Sequence, residues 1–166
     1  MLKLCLILIL SFLQTALLAK ANLHSHEHGN LKLEIAVEKD TLVLMIDGPA
    51  DSILGFEHQP KTAKEKKIYY EAQSLWKNKY ASLFIVDEKI SCQAVTNEFD
   101  LVTEEGSKHA EIEAKLELKC SKNLMGEKIK IALIKNFKKI ERLSVELVGS
   151  QSKKIVEKKS EFELAL

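Results

Sequence analysis

Apolar and polar residues alternate with a period of two over several short stretches of this chain. The clearest stretches are residues 31–38 and 109–120, and shorter apolar segments lie at 41–46, 83–86, 90–96, 129–134, 143–148 and 153–156. Such alternation is typical of strands with one buried face. The two-residue break at Lys39-Asp40 predicts that the first two segments form a hairpin.

One stretch has a helical period instead. Thr62 and Glu65 have the spacing of a capping box, and apolar residues then recur every three or four positions as far as Trp76. This pattern predicts an amphipathic helix over residues 63–78, with a turn or short helix at 136–140. Strands with one main helix indicate an α+β fold, with a mostly antiparallel sheet in a single domain over residues 31–166.

The N-terminal residues have the pattern of a secretory signal. Lys3 precedes an apolar run over residues 4–18, and Ala19-Lys20-Ala21 has small residues at the cleavage positions. The pattern predicts a signal peptide over residues 1–21 and a periplasmic mature protein. An uncleaved anchor is the alternative, but the run is short for a membrane span. No second apolar run of that length follows, so we expect no membrane span after processing.

The charge balance argues against a nucleic-acid partner. The chain has 25 basic and 24 acidic residues, and cleavage removes Lys3 and Lys20, which leaves 23 against 24. The most basic part of the sequence, residues 119–159, contains a single aromatic residue, Phe137, so it lacks the aromatic interleaving typical of nucleic-acid binding. Acidic residues predominate over residues 87–117 and basic residues over 119–159. The basic part is either a solvated face or a docking surface for an acidic envelope partner.

Export changes the interpretation of the cysteines. Cys5 lies in the predicted signal, so the mature chain keeps only Cys92 and Cys120. An even number of cysteines in an oxidising compartment predicts a disulfide. A zinc pair is the alternative, although structural zinc cysteines are usually two to four residues apart.

A histidine cluster lies in the polar segment at residues 22–30. His24, His26 and His28 alternate with Ser25 and Glu27, and neutral imidazole is a good zinc ligand. A solvated tail is the alternative interpretation. If cleavage follows Ala21, the new α-amine, two amides and His24 also form a four-nitrogen set that suits Cu(II) or Ni(II).

Two further groups contain potential metal ligands. Glu57-His58 follows Gly55-Phe56 and either completes a metal site or has a local structural role. His109, among several glutamates, is a weaker candidate. The chain has no motif of a metalloprotease, serine hydrolase or phosphate-binding loop, so the sequence favours a non-enzymatic protein.

Together these segments resemble the ZrgA-like periplasmic zinc-binding proteins of Gram-negative bacteria. The resemblance rests on the histidines before the 31–38 strand, on Gly48-Pro49-Ala50-Asp51, and on residues 53–58, and it extends through both cysteines to the final strands.

The resemblance implies a non-catalytic accessory of zinc acquisition that supports an importer, with His26, His28, Glu57 and His58 as the polar set. The chain departs from the family in one place. Members often carry a long insertion rich in His, Asp and Glu before the strand of the second cysteine, whereas here residues 102–109 are all that lies there. This difference argues against high-capacity zinc binding. It favours the N-terminal cluster or, alternatively, an envelope protein-docking role with little or no metal function.

Overall fold

The computed structural model describes residues 28–103, 106–149 and 152–166. The predicted signal peptide, His24, His26 and the predicted mature N terminus lie outside these residues. Among the described residues, no helix is both long enough and apolar enough to cross a membrane.

Two sheets and three helices make up the described fold. The larger sheet contains β1 (Asn30–Glu38), β2 (Thr41–Pro49), β4 (Cys92–Thr103), β5 (Ala110–Cys120), β7 (Arg142–Val148) and β8 (Lys153–Glu157), in the order β4-β5-β2-β1-β7-β8. The smaller sheet contains β3 (Phe84–Val86), β6 (Lys128–Ile131) and β9 (Phe162–Ala165), in the order β3-β6-β9. The helices are α1 (Asp51–Leu54), α2 (Ala63–Lys79) and α3 (Leu133–Asn136), and a 3₁₀ turn, Tyr80–Ser82, follows α2.

The predicted hairpin is confirmed and forms the centre of the larger sheet. Glu38 lies opposite Thr41, so the two strands are joined by Lys39 and Asp40. Their alternating apolar residues, among them Leu33 and Leu44, are fully buried on one face. The pairing of β1 with β7 is parallel, and it places the starts of these two strands side by side. The other pairings are antiparallel, which confirms the predicted α+β class.

The main helix also agrees with its prediction. Thr62 and Glu65 form both hydrogen bonds of a capping box, and the helix ends one residue later than expected. Its Trp76 is fully buried and meets Phe84 of β3 edge-on, with ring centroids 5.6 Å apart, and Phe99 of β4 at 6.3 Å. The indole of α2 therefore packs against one strand of each sheet.

The predicted disulfide is present. Cys92 and Cys120 lie opposite each other at the ends of β4 and β5 and are bonded. The bond closes a loop with a sequence separation of 28. In the chain-entropy model, a loop of this size stabilises the fold by about 3–4 kcal/mol.

Some boundaries differ from the prediction. The strand expected at 90–96 begins at Cys92 and continues to Thr103. The segment expected at 129–134 divides, because the chain leaves the smaller sheet after Ile131 and Leu133 begins α3, where Leu133 is buried in the core. The sequence pattern also did not predict α1 or β9, each only four residues long.

Candidate metal centre

A glycine turn holds His28 just before β1. The carbonyl of Gly29 accepts hydrogen bonds from the backbone N–H groups of Glu141, at 2.8 Å, and Arg142, at 3.0 Å, just before and at the start of β7. Gly29 has a φ of +73°, and a Cβ at this position would lie 2.9 Å from Cγ of Glu141. Both facts favour glycine here, so the backbone fixes the position from which His28 projects.

Two carboxylates come from the loop that follows β2. Asp51 is the first residue of α1, whose next three residues are buried. Gly55 ends α1 with a φ of +82°, and the chain continues to Glu57. Ala110, the first residue of β5, binds both ends of this loop: its carbonyl accepts from Ala50 N–H at 2.9 Å, and its N–H donates to Glu57 O at 3.0 Å.

The side chains of these segments converge. Nδ1 of His28 lies 2.7 Å from Oδ2 of Asp51 and 3.0 Å from Oε1 of Glu57. The three residues offer ligand atoms that all lie within 4.8 Å of one another. His109 contacts the other side of the same group, with its Nδ1 2.5 Å from Oε2 of Glu57. Glu57 therefore connects two histidines that are distant in sequence.

Exposure differs between the two residue types. The side chains of His28 and His109 are 74% and 72% exposed, whereas those of Asp51 and Glu57 are 24% and 18% exposed. The carboxylates thus form the base of the group and the imidazoles its solvent side. A cation can reach such a group from solvent without a large rearrangement of the backbone.

The charges of the group favour a cation. The hydrogen bond to Asp51, with the negative charges of Glu57 and Asp51, raises the pKa of His28 above its ordinary value. Oδ1 of Asp51 is buried and has no hydrogen-bond partner among the described residues. An unsatisfied buried carboxylate oxygen is unfavourable, and a cation bound by the Asp51 carboxylate through both of its oxygens would reduce this cost. Imidazole nitrogen and carboxylate oxygen are both ligands that zinc accepts.

The backbone of His109 is held by Ser107. Ser107 lies two residues before it, and its Oγ accepts from the N–H of His109 at 3.0 Å and donates to the carbonyl at 3.1 Å. The short loop between β4 and β5 therefore places a single histidine next to Glu57.

The structure brings together only some of the predicted residues. His28 and Glu57 are in the group, and His109 joins it through Glu57. His58 points elsewhere: its Nδ1 lies 2.9 Å from the carbonyl of Gln59, its ring is 5.3 Å from that of Phe56, and its Nε2 is 3.8 Å from Glu65.

The sequence interpretation did not include Asp51 as a ligand. The signal that could have identified it is the hairpin, because a two-residue turn at Lys39-Asp40 fixes the pairing of β1 with β2. Continuing that register beyond the pair of Lys32 with Asp47 sets residue 28 opposite residue 51.

Comparison with known proteins identifies a family. The family model described as "ZrgA family zinc uptake protein" matches residues 25–164, which is nearly the whole chain. No curated protein matches the chain.

Proposed function

This chain belongs to the ZrgA family of zinc uptake proteins, and we propose that it is a non-catalytic zinc-binding accessory of zinc acquisition in the periplasm. In this proposal His28, Asp51 and Glu57 bind the ion, and His109 orients Glu57 through the contact between their side chains. Its cargo is Zn²⁺, which it captures and passes on.

The convergence of His28, Asp51 and Glu57 is the observation that carries the proposal. These residues come from the turn before β1, the first turn of α1 and the loop after it, yet their ligand atoms lie within 4.8 Å. A histidine nitrogen with two carboxylates, and a second histidine adjacent, is a donor set that zinc accepts in proteins. The buried unsatisfied oxygen of Asp51 supports a cation at this place.

The exposure of the group suits capture and release better than permanent retention. Structural zinc sites are usually closed and tetrahedral, often with several cysteines, whereas here both imidazoles are largely exposed and the two cysteines form a disulfide. His28 must lose its proton to bind zinc, so zinc affinity falls on mild acidification. A partner that offers further ligands could then remove the ion from the solvent side.

The N-terminal histidines extend this proposal. His24 and His26 lie four and two residues before His28 in the sequence. Within the proposal they act as additional zinc ligands, which raise the probability that an ion is captured near His28. A Cu(II) or Ni(II) site at residues 22–24 stays a separate prediction, and the family description, which names zinc, gives it no support.

Calorimetric titration with zinc tests the site. We expect His28→Ala to weaken zinc binding about 100-fold and His109→Ala about tenfold, because loss of a ligand costs more than loss of a residue that orients one. His58→Ala is the matched control, since this exposed histidine points away from the group, and its affinity should stay near that of the unmodified protein. Equal losses in all three variants, or no loss in His28→Ala, would contradict the proposed site.

A further inference from the structure

The two outer strands of the larger sheet differ in how their free edges are covered. On β4, the carbonyl oxygens of Leu101 and Phe99 each accept a hydrogen bond, at 3.3 Å, from Nε2 of Gln59 and Gln73 respectively. The loop before α2 and the helix itself therefore satisfy part of this edge. On β8, by contrast, no other element within the described ranges forms a hydrogen bond with the backbone of the outer edge. An unpaired strand edge is a template for a further strand.

The residues of β8 are complementary to themselves in the antiparallel direction. The strand reads Lys153-Lys154-Ile155-Val156-Glu157. If a second β8 lies antiparallel about Ile155, Lys153 of each copy faces Glu157 of the other, and Ile155 faces its own equivalent. Opposite charges directly across a strand pair are stabilising. A contact that repeats itself through a two-fold axis is the usual form of a homodimer interface.

Within one copy the two charged residues cannot pair along the strand. Lys153 and Glu157 are four residues apart, about 13 Å in an extended strand. Neither forms a salt bridge within the part of the chain that the structure describes, whereas Lys154 reaches Glu146 of β7 at 3.1 Å. Lys153 and Glu157 lie opposite Leu147 and Leu143 of β7, so both are on the side of the sheet that faces the core. A second copy supplies each of them with the opposite charge.

The apolar residues of β8 agree with this arrangement. Ile155 is partly buried against the core, and Val156 is 60% exposed. In the antiparallel register, Val156 lies opposite Lys154 of the second copy, whose aliphatic stem can cover it. We propose that the protein forms a two-fold symmetric dimer through antiparallel pairing of β8, which joins two six-stranded sheets into one continuous sheet.

The expected dimer is weak and depends on concentration. A pair of five-residue strands buries less surface than a standard stable interface. The dimer does not depend on metal and forms in the presence of a chelator. Dimerisation in a chelator cannot be association through bound zinc. A negative result for the dimer would therefore leave the proposed zinc-binding function untouched, and the reverse also holds.

A charge-swap cycle tests the register. Sedimentation velocity of the full chain in EDTA, over a wide range of concentrations, should show a monomer–dimer equilibrium. Lys153→Glu or Glu157→Lys alone sets like charges opposite at two places, and should raise the dimer dissociation constant about tenfold or more. The double variant Lys153→Glu/Glu157→Lys should restore dimerisation. A monomer at all concentrations, or a double variant no better than the single ones, would overturn the proposal.

Cross-linking provides a second, independent measurement. Directly opposite residues have Cα atoms about 4.5–5.5 Å apart, which is within the range of a disulfide. Ile155→Cys should therefore form a covalent dimer under mild oxidation. Val156→Cys is the matched control, because its equivalent in the second copy lies about 8 Å away on the diagonal. Equal cross-linking of the two variants would also contradict the β8 register.

Discussion

Glu57 is the residue at which the proposed site can be perturbed most selectively. Its carboxylate lies 3.0 Å from His28 and 2.5 Å from His109, so it contacts both histidines of the group. Glu57→Gln keeps the shape of the side chain and removes its charge. The substitution leaves the backbone hydrogen bond between Ala110 N–H and Glu57 O intact, so we expect the metal-free melting temperature to change little.

The expected loss of zinc affinity follows from these contacts. Loss of a partner that only orients a ligand costs about 10–100-fold in metal affinity. In the proposed site Glu57 is not only in contact with His109 but also binds the ion directly, so the loss should reach the upper end of that range. We expect zinc to bind about 100-fold more weakly, equivalent to about 2.8 kcal/mol.

Competition titration with a chromophoric zinc chelator measures this difference. Glu113→Gln is the matched control, since Glu113 is an exposed carboxylate on β5 outside the group. Its zinc affinity should equal that of the unmodified protein. If Glu57→Gln keeps full affinity while remaining folded, the carboxylate is not a ligand, and the argument from convergence is refuted.

Two further predictions concern the turn and the charge of His28. Gly29→Ala places a methyl group on a residue with a φ of +73° and displaces Glu141, so we expect about tenfold weaker zinc binding. Gly126→Ala is the control, because Gly126 has a φ of +82° but open space around the added methyl. It should show the backbone strain as a lower melting temperature, without the loss of zinc affinity. The second prediction concerns the charge of His28, whose pKa is raised from the ordinary histidine value of 6.5. The protonated imidazole stabilises the metal-free fold fully at pH values below 6.5, and this stabilisation is lost as the pH rises through the raised pKa. Zinc competes with that proton, so the stabilisation by zinc should increase over the same pH window. The melting temperature, plotted against pH, should therefore fall in EDTA and rise with zinc. Parallel plots would argue against His28 as a ligand.

Most of the larger sheet and the main helix could be predicted because their signals are local. Alternation along β1 and β5 identifies a buried face without knowledge of the partner strand, and a capping box defines the start of α2 within four residues. The apolar run of β2 has no such alternation, and its place follows from the two-residue turn after β1. The four-residue elements α1 and β9 lack such a signal, since neither is long enough to show a period. Their positions depend on buried residues, such as Leu54 and Leu164, that contact the rest of the core.

The candidate site was only partly predictable for a related reason. The histidine cluster identified His28, because clustering is visible in sequence, and Glu57 stood out beside His58. The direction of the two side chains was not visible: neighbouring residues in an irregular loop can point to different sides, and His58 turns to Phe56 and Gln59 while Glu57 turns to His28 and His109.

The strand registers explain why these particular residues meet. The pairing of β2 with β5 ends at Pro49 and Glu111, and two further steps set residue 51 opposite residue 109. The pairing of β1 with β2, continued past Lys32 and Asp47, sets residue 28 opposite residue 51. Counted in these registers, His28, Asp51 and His109 fall on one row beyond the last paired residues, at the point where the chain turns from β2 into α1. Glu57 reaches the same place from the loop bound to Ala110. A one-residue change in the hairpin turn would shift this row and separate His28 from Asp51, so the length of the Lys39-Asp40 turn is as much a condition of the site as its ligands.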